Sequence, residues 1–182
     1  MRKLLGAALA FVLTLSALPS DAQERRFNDW VVDRGNDGTF FYAATGSLGE
    51  SGSEDKLFAQ SCYIGGSCIW LLAIKLGCEQ DAEYPVLVNG ESGAQTLSLK
   101  CMGPIEGTRM FRYGFTDFDK ITASVERNKL IGFAFPLKSG YFQVLRFSLI
   151  GASSAIVEAQ QRASRAVPPI SPARRGLRDE KL

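Results

Sequence analysis

The sequence predicts a mainly β, α+β domain, in the form of an antiparallel β sandwich or roll with two short helices. Three observations lead to this fold class. Short runs rich in β-branched and aromatic residues recur along the chain, turns containing Gly, Asn or Asp join most of these runs into hairpins, and helical spacing of apolar residues is confined to two segments.

The amino terminus predicts export. Positive charge at Met1 to Lys3 precedes an apolar stretch from Leu4 to Leu15, and small residues flank a cleavage position after Ala22. The apolar stretch is about a dozen residues long, whereas a membrane-spanning helix needs roughly twenty. We therefore expect residues 1–22 to be a cleaved signal peptide, with no stable membrane insertion afterwards and a periplasmic or secreted location.

The mature chain has the length of a single domain. Without residues 1–22 it has 160 residues, enough for a sizeable core. Its formal charge falls from +2 to +1, which gives no general attraction for nucleic acid. We expect residues 23–166 to form one disulfide-bonded β-rich domain, and the Pro- and Arg-rich residues 167–182 to form a disordered tail.

Two hairpins are predicted in the first half of this domain. Residues 25–32 are expected to form one short strand with Trp30 buried, and the turn after it leads to a paired strand at 39–45. Residues 46–55 are predicted to be a mobile surface loop. Strands at 56–63 and 67–75 flank Gly65 and Gly66, and the second of these strands is apolar on both faces at 69–74, which predicts a central position.

The second half predicts two further hairpins and both helices. The hairpins pair residues 84–88 with 95–100 and residues 129–136 with 141–149, and residues 110–115 form a separate strand. A short helix begins at Thr116 or Asp117. The last helix, over residues 151–166, is expected to cap the sheet with one stripe of side chains: Ala152, Ala155, Ile156, Ala159 and Ala163.

The four cysteines predict two disulfides. An even number of cysteines in an exported chain favours disulfides over free thiols. We favour Cys62 with Cys68 and Cys78 with Cys101, because each pair flanks a candidate hairpin, although the other two pairings remain open. The spacing does not suit a zinc site, so no metal is expected.

Histidine is absent from the chain. This absence removes the usual general base, the Ser-His and Cys-His pairs and the commonest metal ligand. We expect no catalytic residue and no cofactor. The alternative is a carboxylate-based envelope enzyme acting on glycans, which would use acids such as Glu79, Asp81 and Glu83 across a cleft. We expect those three acids to be solvated loop residues instead.

Basic and aromatic residues alternate at Arg109, Phe111, Arg112 and Tyr113. As a strand, this segment would present each residue type on a defined face and offer a strip for binding an anion or a partner. The alternative is an ordinary edge strand whose positive charges discourage aggregation. Residues 40–42 are a second candidate surface if their rings are exposed.

Both ends of the domain resemble the invasion-associated locus B family of exported proteobacterial proteins. The matching features are the signal peptide, the opening segment 27–32, the cysteine-containing middle, and the closing strand and helix at 147–156. The closing segment is similar to the family pattern Ser-Leu-x-Gly-x-x-x-Ala. The resemblance implies a mainly antiparallel β domain in the cell envelope, associated in some members with host-cell invasion, and it assigns no catalytic residues.

Together these observations predict an exported, non-catalytic binding or structural protein of the cell envelope. Its partner would be an envelope or host protein, and the sequence leaves the oligomeric state open. Besides the glycan enzyme, the other alternative is an assembly factor for an envelope complex.

Overall fold

The structure, a computed structural model, describes residues 24–46, 56–137 and 139–167. These residues form a ten-stranded antiparallel sheet and two helices. The elements, in chain order, are β1 Arg25–Phe27, β2 Trp30–Arg34, β3 Phe40–Gly46, β4 Lys56–Tyr63, β5 Cys68–Ile74, β6 Glu83–Gly90, β7 Gly93–Pro104, β8 Phe111–Phe115, α1 Phe118–Glu126, β9 Leu130–Pro136, β10 Phe142–Ser148 and α2 Ala152–Arg165. The predicted signal peptide, nearly all of the loop at 46–55 and nearly all of the tail lie outside the described residues.

The sheet confirms the predicted fold class and its four hairpins. The strand order is β1-β2-β3-β4-β5-β8-β7-β6-β9-β10, and β2–β3, β4–β5, β6–β7 and β9–β10 are the hairpin pairs. The single strand predicted at 25–32 is wrong. A tight turn divides it, because Asn28 adopts a left-handed conformation with φ 52° and Phe27 pairs back onto Trp30.

One face of the sheet encloses an aromatic core. Trp30 is fully buried, as predicted, and its ring lies 6.0 Å from Phe58 and 6.5 Å from Trp70. Phe58 on β4 also meets Phe133 on β9 at 5.1 Å and Phe147 on β10 at 5.7 Å. Rings from both halves of the sheet therefore face each other, which requires the sheet to curl around them.

The two edges of the curled sheet meet at one point. The Trp30 indole donates a hydrogen bond to the Ser148 carbonyl at 2.9 Å, and the Asp29 amide donates to the Ile150 carbonyl at 3.3 Å. No strand ladder joins β1 to β10 in the described part of the chain. The sheet is thus an open roll, fastened at one end and not closed into a barrel.

Both helices pack as their sequences predict. Asp117 caps α1 by accepting a hydrogen bond from the Lys120 amide at 3.0 Å. The four alanines of the predicted stripe on α2 are buried against β2, β3 and β4, whereas Ile156 is half-buried, and the helix covers one end of the roll. Neither helix in the described ranges is long and apolar enough to cross a bilayer.

A charged side chain fixes α2 to the first strand. Glu158 accepts hydrogen bonds from Arg25 at 2.7 Å and from Arg162 at 2.9 Å. Partial burial raises the pKa of Glu158, but the hydrogen bonds from the two arginines outweigh it, and the pKa is lowered overall.

Two disulfides join the cysteines in the pairing that the hairpins favoured. Cys62–Cys68 links directly opposite residues of β4 and β5, with their Cα atoms 4.0 Å apart. Cys78–Cys101 fastens the segment before β6 to β7, with a Cα separation of 6.0 Å. Two formed disulfides indicate an oxidising compartment outside the cytoplasm.

Candidate functional site

The aromatic members of the segment 109–113 belong to the core. Tyr113 is 1% exposed, and its hydroxyl donates to the Leu76 carbonyl at 2.7 Å. Burial, followed by the neighbouring Tyr84, raises the pKa of Tyr113 to about 12. Phe111 is half-buried on the same face, so a ligand cannot reach the Tyr113 ring without opening the fold.

The two arginines of this segment are exposed. Arg112 lies on the outer face of β8, and Arg109 lies in the turn before the strand. The edge-strand alternative is wrong, because β8 pairs with β5 on one side and β7 on the other. Strand alternation places Arg112 and the aromatic residues on opposite faces, as predicted, and a binding role for the exposed arginines stays a prediction.

Residues 40–42 contribute half-buried rings to the outer face. Phe40 lies 6.2 Å from Tyr42 and 5.7 Å from Tyr63 across the β3–β4 pair. Phe41 points inward and is 2% exposed. Burial, and to a smaller extent Asp33, raises the pKa of Tyr42. This trio is a small outer cluster whose rings mainly cover one another.

The acids proposed for a glycan enzyme all face solvent. Asp81 pairs with Lys100 at 2.9 Å, and this contact lowers the pKa of Asp81. Glu83 accepts a hydrogen bond from the Ser98 hydroxyl at 2.9 Å, and Glu79 is exposed beside them. In the described residues, no group of three or more acidic or cysteine side chains is placed to hold a metal ion.

A polar cavity of about 460 Å³ lies between α1 and the β6–β7 turn. Asn128 occupies its floor, where it accepts from the Ser92 amide at 2.8 Å and donates to the Ser124 carbonyl at 2.6 Å. These hydrogen bonds of the Asn128 side chain hold the β6–β7 turn against α1. We therefore assign Asn128 a structural role and do not propose this cavity as a binding site.

A second concavity runs between α1 and α2, and we call it the interhelical groove. It consists of two adjoining cavities of about 760 Å³ and about 290 Å³ that share Phe118, Val157 and Gln160. The larger cavity opens beside the Cys62–Cys68 disulfide, and the smaller one reaches between the helices. The larger volume is in the range typical of ligand sites.

The larger cavity of the interhelical groove has a mainly apolar lining, whereas polar and apolar groups line the smaller cavity about equally. Val157 projects into it with 48% of its side chain exposed, and Phe118 lies half-buried opposite. Gln60, only 1% exposed, accepts a hydrogen bond from Gln160 at 3.0 Å. Among the described residues that line the two cavities, Glu126 is the one charged side chain.

This arrangement suits recognition of a neutral ligand with both apolar and amide groups. Val157 and Phe118 offer apolar contact area, and the exposed Gln160, which the buried Gln60 holds in place, offers amide donor and acceptor groups. The rigid disulfide fixes one wall. Helical spacing in the sequence predicted each helix separately, but their proximity depends on the sheet order between them, so local patterns in the sequence do not reveal this groove.

The comparisons with known proteins agree with the fold. No protein-family model and no curated protein matches the sequence. Among solved structures, the chain is similar to invasion associated protein B from Bartonella henselae, with 12% sequence identity and a TM-score of 0.57. The match covers 76% of this chain and 96% of that one. The likeness extends to the fold of the domain, which is the fold that the sequence resemblance implied.

Proposed function

We propose that this chain is an exported binding protein of the cell envelope, periplasmic or secreted, that holds a segment of an envelope or host protein in the interhelical groove. The observation that carries the proposal is the uncharged, mainly apolar lining of the larger cavity of this groove, beside the Cys62–Cys68 disulfide. The fold shared with invasion associated protein B supports an envelope setting.

Export is tested by the mass of the protein recovered from the envelope fraction. We expect a mature chain beginning at Gln23, with no free thiol, and non-reducing peptide maps that contain both disulfide-linked pairs. A full-length chain with reduced cysteines would contradict the proposed location.

Binding is tested by placing a charge in the groove. Val157→Glu puts a carboxylate among apolar side chains, so a neutral segment that binds there would leave an unpaired charge at the contact. Mild crosslinking of intact cells should give one or more adducts with the wild-type protein, and Val157→Glu should reduce their yield at least about tenfold, which corresponds to roughly 1.4 kcal/mol.

Val167→Glu is the matched control. It introduces the same change at a valine that is 78% exposed just beyond the end of α2, outside the groove lining. We expect this variant to form the same adducts as the wild type. Equal adduct yields from the two variants, or no adduct with any of the proteins, would exclude the groove as the binding site.

A further inference from the structure

Strand β10 is a free edge of the sheet. It pairs with β9 on one side and has no partner strand on the other side within the described residues. The far edge, β1, is three residues long and is fixed beside α2 by Arg25. An unpaired edge offers backbone donors and acceptors to which another strand can add.

The backbone hydrogen bonds between β9 and β10 show which residues of β10 direct their N–H and C=O groups away from β9. The Leu137 amide donates to the Tyr141 carbonyl, and the Leu149 amide donates to the Lys129 carbonyl, both at 2.8 Å. Odd-numbered residues of this segment therefore direct their backbone groups toward β9. Because these directions alternate in an antiparallel pair, the even-numbered residues direct theirs to the open edge.

The fastened end of the roll agrees with this alternation. The carbonyls of Ser148 and Ile150 point across the edge and accept hydrogen bonds from Trp30 and Asp29. Three even-numbered residues remain without such a partner in the described chain: Phe142, Val144 and Arg146. They form a run with outward N–H and C=O groups, which we call the open edge.

Apolar side chains accompany the open edge. Phe142 is 62% exposed and Val144 is 48% exposed, both on the outer face. The patch continues inward, since Val144 pairs with Ala134 and Ala134 pairs with Leu87, which is 41% exposed. An exposed apolar edge of this kind is an association site unless something covers it.

We propose that the open edge pairs with the open edge of a second copy of this chain, extending the sheet across a two-fold axis. In antiparallel register with Val144 opposite Val144, Phe142 of each copy faces Arg146 of the other. Each end of the junction then gains an aromatic–cation contact, and the apolar residues meet at the centre.

Self-complementarity selects this occupant over an unrelated strand. When two copies of the open edge run antiparallel, the aromatic Phe142 lies opposite the cationic Arg146 at both ends. The apolar Val144 lies opposite itself in the middle. The two Arg146 side chains lie four positions apart, about 13 Å, so like charges do not oppose each other. A shift of two residues would leave an arginine of each copy without its ring.

Cysteine crosslinking of the mature protein tests the pairing and its register. Directly opposite hydrogen-bonded residues have Cα atoms about 5.5 Å apart, within disulfide range. Val144→Cys should give a covalent dimer under mild oxidation. Phe142→Cys and Arg146→Cys should each remain monomeric alone and should crosslink when mixed.

Two lysine variants separate edge pairing from general apolar association. Val144→Lys opposes two charges at the two-fold axis and should abolish the dimer seen in sedimentation at rising protein concentration. Leu87→Lys makes the same kind of change on the same face, two strands from the edge, and should leave the dimer intact.

Peptide maps showing the two native disulfides unchanged serve as the folding control for the cysteine variants. A wild-type protein that sediments as a monomer at every concentration overturns the proposal, and so does an equal loss of the dimer in both lysine variants. Crosslinking of Val144→Cys to a different envelope protein, without the symmetric dimer, also overturns it in favour of a heterologous strand.

Discussion

Strands β8 and β10 have similar sequences but opposite positions in the sheet. Each is short and carries an arginine between apolar residues. β8 lies between β5 and β7 and buries Tyr113, whereas β10 borders the sheet and exposes Phe142. The composition of a strand therefore does not determine whether its aromatic residues serve the core or the surface. Its neighbours in the sheet contribute to this, and the side-chain alternation along the strand also decides it, since β10 buries Phe147 while it exposes Phe142.

The largest expected effect comes from truncating the aromatic residue of each strand. Tyr113→Ala should lower the free energy of unfolding by about 3 to 5 kcal/mol, because it leaves a cavity and removes the hydrogen bond to Leu76. Phe142→Ala should change it by less than about 0.5 kcal/mol, as expected for an exposed residue. Denaturant unfolding at low protein concentration measures both, and similar losses would contradict the contrast.

The glycines that flank β10 sharpen the comparison at its two ends. Gly151, with φ 93°, lies at the fastened end, where an added Cβ would overlap the Phe27 carbonyl oxygen. Gly140, with φ 83°, lies before the open edge and has free space around it. Gly151→Ala should lower the free energy of unfolding by about 3 kcal/mol, because backbone strain and the clash act together. Gly140→Ala should lower it by about 1 kcal/mol, because backbone strain acts alone.

Thermal or denaturant unfolding gives both values under one set of conditions. Equal losses of unfolding free energy in the two alanine variants would show that the contact between the two edges does not constrain the fastened end. A larger cost at Gly140 would reverse the assignment of rigid and open ends.

Alkaline pH gives the most specific test of the buried tyrosine. The folded state raises the pKa of Tyr113 to about 12, so unfolding releases a proton once the pH exceeds the ordinary tyrosine value. This stabilisation is fully present below about pH 10 and is lost as pH rises toward 12, at most about 1.4 kcal/mol per pH unit.

Tyr113→Phe should remove this part of the fall in unfolding free energy with pH, which we call the alkaline slope. Tyr141→Phe is its control, because Tyr141 is 75% exposed just before β10, and it should leave the slope unchanged. If the two variants have the same slope between pH 10 and 12, the ionisation of Tyr113 is not linked to folding.

Local signals in the sequence predicted the hairpins, the helices and the disulfides. Gly65 and Gly66 mark a turn that folds residues on each side together, and the same closeness pairs Cys62 with Cys68. The Asn28-Asp29 turn was missed, although two turn-forming residues between Phe27 and Trp30 are a recognised hairpin signal. These features depend on residues near one another in the chain.

The order of the hairpins in the sheet depends on distant residues and was not predictable from local patterns. β8 inserts between β5 and β7, and β9 joins β6, so the edge falls on β10. The same long-range pairing brings α1 beside α2 and creates the interhelical groove. Both proposed contact surfaces thus arise from tertiary structure, whereas the segment 109–113 is recognisable from the local sequence alone.

The chain has two tryptophans, and the fold places both in one spot. Trp30 and Trp70 meet edge to face at 6.5 Å, beside the bond that fastens the two edges of the roll. Intrinsic fluorescence therefore reports on this part of the core, because the chain has no other indole. A red shift of the tryptophan emission would therefore show that water has entered the core next to the fastened edges. The emission wavelength can be used to follow whether the contact between the two edges is intact.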